Sequence, residues 1–278
     1  MQSTINCNGK LLSLRSPLIM GIINLNDASF YSGSRSDSIY TTLQKTETML
    51  SEGADIIDIG YMTSKPGSPV SDPLLEKEVI NNTLLHIKKS FPEAIVSVDT
   101  LHSSVAADAV SYGADMINDI SAGSYDSEMM HTVAKLNIPY IMMHMKGLPD
   151  NMQKNPEYTD VVLDILTYLK NKVIDARKAG IKDVIIDPGF GFGKTNEHNF
   201  SLLKHLGIFR MLDIPVLAGL SRKSMIWKTL GTTPEAALNG TSALNLYALQ
   251  QGASILRVHD VREAAECVKL YNAIEMAP

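Results

Sequence analysis

The sequence predicts an α/β protein, a (β/α)8 TIM barrel preceded by a short N-terminal β-hairpin, folded as a single domain over residues 1–278. Three observations point there. Short apolar runs rich in β-branched residues recur along the chain. Each is followed by a polar or glycine-rich loop and then a helical stretch. The alternation continues unbroken for about eight rounds, which favours a closed barrel over an open sheet.

The apolar runs fall at residues 18–24, 55–60, 95–99, 115–119, 140–144, 183–187, 215–219 and 254–259. Being apolar on both faces, they suit parallel strands covered on both sides. Helical stretches are expected at 41–52, 74–89, 103–112, 158–179 and 234–251, with Gly53, Gly113, Gly180 and Gly252 as their left-handed stops. Asn8-Gly9 is a two-residue hairpin turn signal, so residues 1–16 are expected to form a hairpin closing the lower end of the barrel. A dinucleotide-binding doubly wound sheet would carry an early Rossmann fingerprint, and the sequence has none.

Composition narrows the function. With 45% apolar residues and mean hydropathy near zero, the chain can bury a large core. Its net charge of −5 is spread out with no basic block, which argues against nucleic acid or an anionic membrane as partner. Cys7 and Cys267 form no CxxC pattern and suggest reduced thiols. Neither a signal peptide nor an apolar run of about 18 residues is seen, so a soluble, cytoplasmic protein is expected, and an anionic small substrate stays open because a few local cations decide that.

Polar residues gather where the strands end: Asn24, Asp58, Asp99, Asn118, His144, Asp187, Arg257 and His259. Strand C-termini converge on one face of a barrel, so these distant positions would share a mouth. Any one of them reads equally well as a loop cap. Their recurrence at nearly every strand end is what a binding site requires. The stretch Asp187 to Thr195 misses a phosphate loop at Pro188 and a GxGxxG at Lys194, and reads as a tight turn presenting Asp187 and Phe192. Gly219-Leu220-Ser221-Arg222-Lys223 misses a nucleophile elbow at Lys223. Lys223 beside a helix start at Ser224 instead favours an anion. The histidines make no HExxH motif, so no zinc site is expected.

Taken together, the motifs resemble the dihydropteroate synthase family of pterin-binding barrels. They are Met20-Gly21-Ile22-Ile23-Asn24, Asp58-Ile59-Gly60, Ser97-Val98-Asp99-Thr100, Asn118-Asp119-Ile120, Met143-His144-Met145-Lys146-Gly147, the turn from Asp187 to Lys194, Ser221-Arg222-Lys223-Ser224, and Arg257-Val258-His259-Asp260-Val261. The resemblance implies condensation of a pterin pyrophosphate with p-aminobenzoate in folate synthesis, by a homodimer that is a sulfonamide target. It implies that Asp99, Asn118, Asp187 and Lys223 hold the pterin, with Met143 and Phe192 lining its pocket. Asn24, Arg257 and His259 would bind pyrophosphate, with Mg2+ at Asn24. Lys223, Arg257, His259 and Asn24 would thus form the catalytic set. Ser64, Lys65, Pro66 and Ser224 would take p-aminobenzoate.

Two loops depart from the family pattern. Asn26-Asp27-Ala28 stands where the family usually has Thr-Pro-Asp, and Lys65 where it usually has Arg, which keeps the charge but loses the planar fork. These departures motivate a second reading, a pterin-binding paralogue of low activity. A third, a pterin-dependent methyltransferase, has no use for a pyrophosphate site.

Overall fold

The computed structural model describes residues 3–25, 35–62, 70–147 and 156–278. Strands β1 (Thr4–Cys7) and β2 (Lys10–Ser13) pair antiparallel across Asn8-Gly9. Both turn residues have positive φ, +51° and +92°, the mirror-image turn whose twist matches a hairpin.

Eight parallel strands then form the barrel: β3 (Leu18–Asn24), β4 (Ile56–Gly60), β5 (Val96–Asp99), β6 (Met116–Asp119), β7 (Tyr140–Met143), β8 (Val184–Asp187), β9 (Leu217–Ala218) and β10 (Ile255–Val258). Their order is β8-β7-β6-β5-β4-β3-β10-β9. A parallel bridge between Ile186 and Val216 brings β8 against the chain entering β9 and closes the ring. Strand β9 is shorter than the expected 215–219. Pro215 has no N–H to give the ladder, so pairing begins beyond it.

The surrounding helices are α1 (Arg35–Glu52), α2 (Pro73–Ser90), α3 (Ser103–Ser111), α4 (Met129–Leu136), α5 (Val161–Ala179), α6 (Asn196–Lys204), α7 (Ser224–Thr229), α8 (Leu238–Gln250) and α9 (Val261–Glu275), with a 3-10 turn at Leu206–Leu212. Helix α5 starts at Val161 rather than 158 because Asp160 caps it, accepting from Val162 N at 2.9 Å and Leu163 N at 3.1 Å. Helix α1 begins six residues before the expected 41, and α8 four after the expected 234. The four expected helix-stop glycines all have positive φ. Among the described residues, no helix is long and apolar enough to cross a membrane.

Period-two alternation of the strands sorts their side chains between the barrel interior and the helix layer. At the strand starts the interior is apolar: Leu18, Met20, Ile56, Ile95, Met116, Ile141, Ile185, Leu217 and Ile255 pack with Ile5 and Cys7 of the hairpin. The hairpin therefore plugs the lower end, and full burial of Ile5 alone stabilises by about 1.5–3 kcal/mol. Moving up each strand in steps of two leads to Asp58, Ser97, Asn118, Met143, Asp187 and Arg257, and then to Gly60, Asp99 and His259. Parity along the strand thus decides which polar residues reach the mouth. Asp119, one residue out of step, turns into the wall. There it accepts from Tyr140 Oη at 2.5 Å, from Ser121 N and Oγ at 2.7 Å, and from Gly123 N at 2.7 Å.

Candidate active site

At the centre of the mouth lies an ion-pair network. The Arg257 guanidinium donates from Nε to Asp58 Oδ2 at 2.7 Å, and its Nη2 lies 2.7 Å from the same oxygen and 3.0 Å from Asp99 Oδ2. Asn118 Nδ2 also donates to Asp58 Oδ2, at 3.2 Å. Strand register explains the meeting: Gly60 on β4 lies beside Asp99 on β5, which lies beside Asn118 on β6. Asp58 is fully buried, and a carboxylate there is tolerable only with a cation against it.

Asp187 ends β8 next to Met143 of β7, and its Oδ1 accepts from Gly189 N at 2.7 Å. Lys223 reaches in from the start of α7. Its Nζ donates to the Phe190 carbonyl and lies 5.0 Å from the centre of the Phe192 ring. Met143 and Phe192 join Leu101 and Ile120 in a small apolar patch at the mouth. A flat ring thus has apolar surface to lie on and acidic groups at its edge.

The titration behaviour follows from crowding charges in a poorly solvated space. Burial raises Asp99 to about 7; Arg257 opposes this, while Asp58, Glu76 and Asp119 add to it. Burial also raises Asp187, against the pull of Lys223. Lys223 is lowered to about 8, again by burial, with Asp187 opposing and Arg257 reinforcing. The site therefore holds one acid, Asp99, and one base, Lys223, that change charge near neutrality, as proton-sensitive binding requires.

The glycine turn after β8 is fastened from beneath. Lys194 is buried and donates to the carbonyls of Gly189 at 2.7 Å and Phe192 at 3.0 Å, with His144 Nδ1 at 3.1 Å. His144, pushed down to about 3 by burial and by Lys194, can offer Nδ1 as an acceptor. Gly189 has φ +73°, and a Cβ there would lie 2.0 Å from the His144 carbonyl oxygen. Only glycine fits.

On the opposite side, Arg222 and Asp260 form a forked ion pair, Nε to Oδ2 at 2.9 Å and Nη2 to Oδ1 at 2.8 Å. It ties the loop after β9 to the loop after β10. Immediately beside it, Ser221 Oγ lies 3.1 Å from His259 Nδ1. His259 is exposed, while its enclosure by the protein and the cations Arg257, Arg222 and Lys223 lower it to about 4, against Asp260.

The model matching residues 20–259 is that of the pterin binding enzymes. The chain belongs to that family. Within it, the chain is 40% identical over 270 residues to the dihydropteroate synthase of Haemophilus influenzae, covering 96% of this chain and 97% of that one. A structure of Yersinia pestis dihydropteroate synthase with a sulfonamide drug complex superposes with a TM-score of 0.92 at 35% identity, over 99% of this chain and 100% of that one. Another, of the Xanthomonas albilineans enzyme in complex with 7,8-dihydropteroate, gives 0.88 at 32% identity over 100% of both chains.

Of the positions singled out from sequence, Asp99, Asn118, Met143, Asp187, Phe192, Lys223 and Arg257 come together in this one mouth of the pterin-binding barrel. Asn24 stands exposed at the end of β3, paired in register with Gly60. His259 follows β10 at the rim, and Ser224 opens α7 beside Lys223. Ser64, Lys65, Pro66 and the Asn26-Asp27-Ala28 departure lie outside the described residues. Sequence reasoning places Asp58 at the mouth but gives it no ligand role there; its work is to hold Arg257. It misses Glu76, a fully buried acid on α2 that accepts from Ser71 Oγ. In sequence Glu76 reads as one more helix charge.

Proposed function

We propose that this chain is a dihydropteroate synthase. It joins 6-hydroxymethyl-7,8-dihydropterin pyrophosphate to p-aminobenzoate, forming 7,8-dihydropteroate and releasing pyrophosphate. The observation that carries this is the pairing, in one mouth, of the Asp99–Asn118–Asp187 acceptor set with the cations Lys223 and Arg257. The Haemophilus influenzae relative bears that enzyme's name, and the Xanthomonas albilineans neighbour was solved with the reaction product.

The amino-pyrimidine edge of a pterin is rich in N–H donors, which Asp99, Asn118 and Asp187 accept, while Lys223 meets the ring carbonyl. Met143 and Phe192 flank the ring. Arg257, His259 and Asn24 hold the pyrophosphate, whose departure from the exocyclic methylene breaks the carbon–oxygen bond. The arylamine nitrogen forms the new carbon–nitrogen bond and loses a proton. The protein supplies position and charge stabilisation and needs no nucleophile of its own. Ser224 at the start of α7, with Ser64, Lys65 and Pro66, is assigned to p-aminobenzoate on family resemblance.

The residues present fit Mg2+. Among the described residues no three His, Cys, Asp or Glu side chains cluster as a cage. Asn24 offers one hard oxygen donor at the open rim, and Mg2+ commonly takes few protein ligands, with phosphate oxygens and water completing its shell. When bound with the substrate there, it would neutralise pyrophosphate charge. A homodimer in the cytoplasm is the form expected from family analogy.

The test is direct. Purified protein given pterin pyrophosphate, Mg2+ and p-aminobenzoate should form dihydropteroate only when all three are present. Tight pterin binding without turnover would select the low-activity paralogue, which the altered loops at Asn26-Asp27-Ala28 and Lys65 motivate. Release of a methyl group from a methylated folate would select the methyltransferase, which Lys223, Arg257 and His259 disfavour.

A further inference from the structure

The loops after β9 and β10 are joined by two consecutive rungs, Ser221 to His259 and Arg222 to Asp260. The second rung is the forked ion pair, and it holds Arg222 in the left-handed region at φ +54°, a costly conformation for a residue with a side chain. Two further bonds anchor the same guanidinium, from Nη1 to the carbonyls of Pro234 at 3.0 Å and Glu235 at 2.7 Å. Ser221 is thereby fixed in place relative to β10.

Ser221 is buried, and its Oγ makes two contacts among the described residues, both to His259. It accepts the His259 backbone N–H at 3.2 Å and lies 3.1 Å from the ring Nδ1. A hydroxyl has one proton and two acceptor sites. Were Nδ1 protonated, Oγ would accept twice and its own proton would be left buried with no acceptor among the described residues, an arrangement that proteins avoid. The contact is satisfied when Oγ–H donates to an unprotonated Nδ1. In a neutral imidazole, the proton then sits on Nε2, on the far side of the ring.

We propose that Ser221 is a positioning residue that fixes the tautomer of His259, so that the neutral imidazole presents an N–H donor at Nε2 to the pyrophosphate leaving group. This rests on the assignment of His259 to pyrophosphate. Without Ser221, the ring is free to put its proton on Nδ1 and meet the anion with a lone pair, which repels it. The depression of His259 below its ordinary range keeps the ring neutral at physiological pH, where tautomer matters.

The tautomer can be read without any ligand. In protein carrying 15N-labelled histidine, long-range proton–nitrogen correlation spectra should show His259 with an unprotonated Nδ1 and a protonated Nε2, the resonance being assigned by its loss in His259→Asn. Ser221→Ala should shift the ring toward the Nδ1–H form and weaken inorganic pyrophosphate binding by about three- to tenfold. Ser221→Thr, which restores the hydroxyl, should recover both. A protonated Nδ1 in the unmodified protein, or an unchanged tautomer in Ser221→Ala, overturns the proposal. Unchanged pyrophosphate affinity in His259→Asn would instead overturn the underlying assignment, whatever the tautomer.

Discussion

Replacing Asp58 with Asn removes the negative charge on which Arg257 rests while keeping shape and one acceptor oxygen. Asp58 is fully buried and receives Arg257 through Nε and Nη2, both at 2.7 Å, and Asn118 at 3.2 Å. Breaking a buried pair by removing one partner costs about 3–5 kcal/mol. Arg257 retains Asp99 at 3.0 Å, so its charge is not orphaned, and the lower end of that range applies. A loss of about 3 kcal/mol corresponds to a fall in Tm of about 6–12 °C for a chain of this size. Urea unfolding of Asp58→Asn, Arg257→Met and the double variant forms a double-mutant cycle. Arg257→Met alone should cost more, because it strands Asp58 in the interior, and the double variant should lose less than the sum of the singles. A loss below about 1 kcal/mol for Asp58→Asn, or additive losses in the cycle, would refute the reasoning.

The remaining expectations concern pH and the glycine turn. Below about 7, Asp99 takes up a proton and can no longer accept as a carboxylate; above about 8, Lys223 loses its charge. The ratio kcat/KM for the pterin substrate should therefore be bell-shaped between these limbs, and Lys223→Arg should abolish the alkaline one, since guanidinium stays charged. A flat profile from pH 6 to 9 (about three decades of proton activity) would contradict both assignments. Gly189→Ala should destabilise by more than about 4 kcal/mol, because its Cβ meets the His144 carbonyl at 2.0 Å and its φ is +73°; a variant of normal denaturation midpoint would count against the turn geometry. Lys194→Met removes the donor to the Phe192 carbonyl and one of two donors to the Gly189 carbonyl, which keeps Phe192 N at 3.2 Å, and should cost about 1–3 kcal/mol in urea unfolding, with loss of pterin affinity.

The fold was legible because barrel strands advertise themselves as apolar runs between glycine-punctuated helices, and Asn8-Gly9 announced its hairpin. The mouth was legible for a related reason. Polar residues such as Asp99, Asn118 and Asp187 interrupt otherwise apolar strands at their C-terminal ends, where only the mouth can solvate or pair them. What sequence could not supply was partnership. Asp58 and Arg257 stand 199 residues apart, and nothing local marks them as an ion pair. Lys194 appeared as a failed phosphate-loop lysine, yet it is buried as a donor to backbone carbonyls, a role visible only once the turn is closed around it. The rungs between residues 221–222 and 259–260 likewise depend on two loops being brought side by side by β9 and β10.

The central claim is that one mouth divides its labour, acidic acceptors for the heterocycle and cations for its leaving group. Calorimetric titration of Asp187→Asn and Arg257→Ala with two separate ligands, an unphosphorylated hydroxymethylpterin and inorganic pyrophosphate with Mg2+, tests it most directly. Asp187→Asn should weaken the pterin by about 1–3 kcal/mol and leave pyrophosphate nearly unchanged, whereas Arg257→Ala should weaken pyrophosphate most and the pterin less, the latter through loss of the cation beside Asp99. Equal losses for both ligands in both variants, or none in either, would contradict the account.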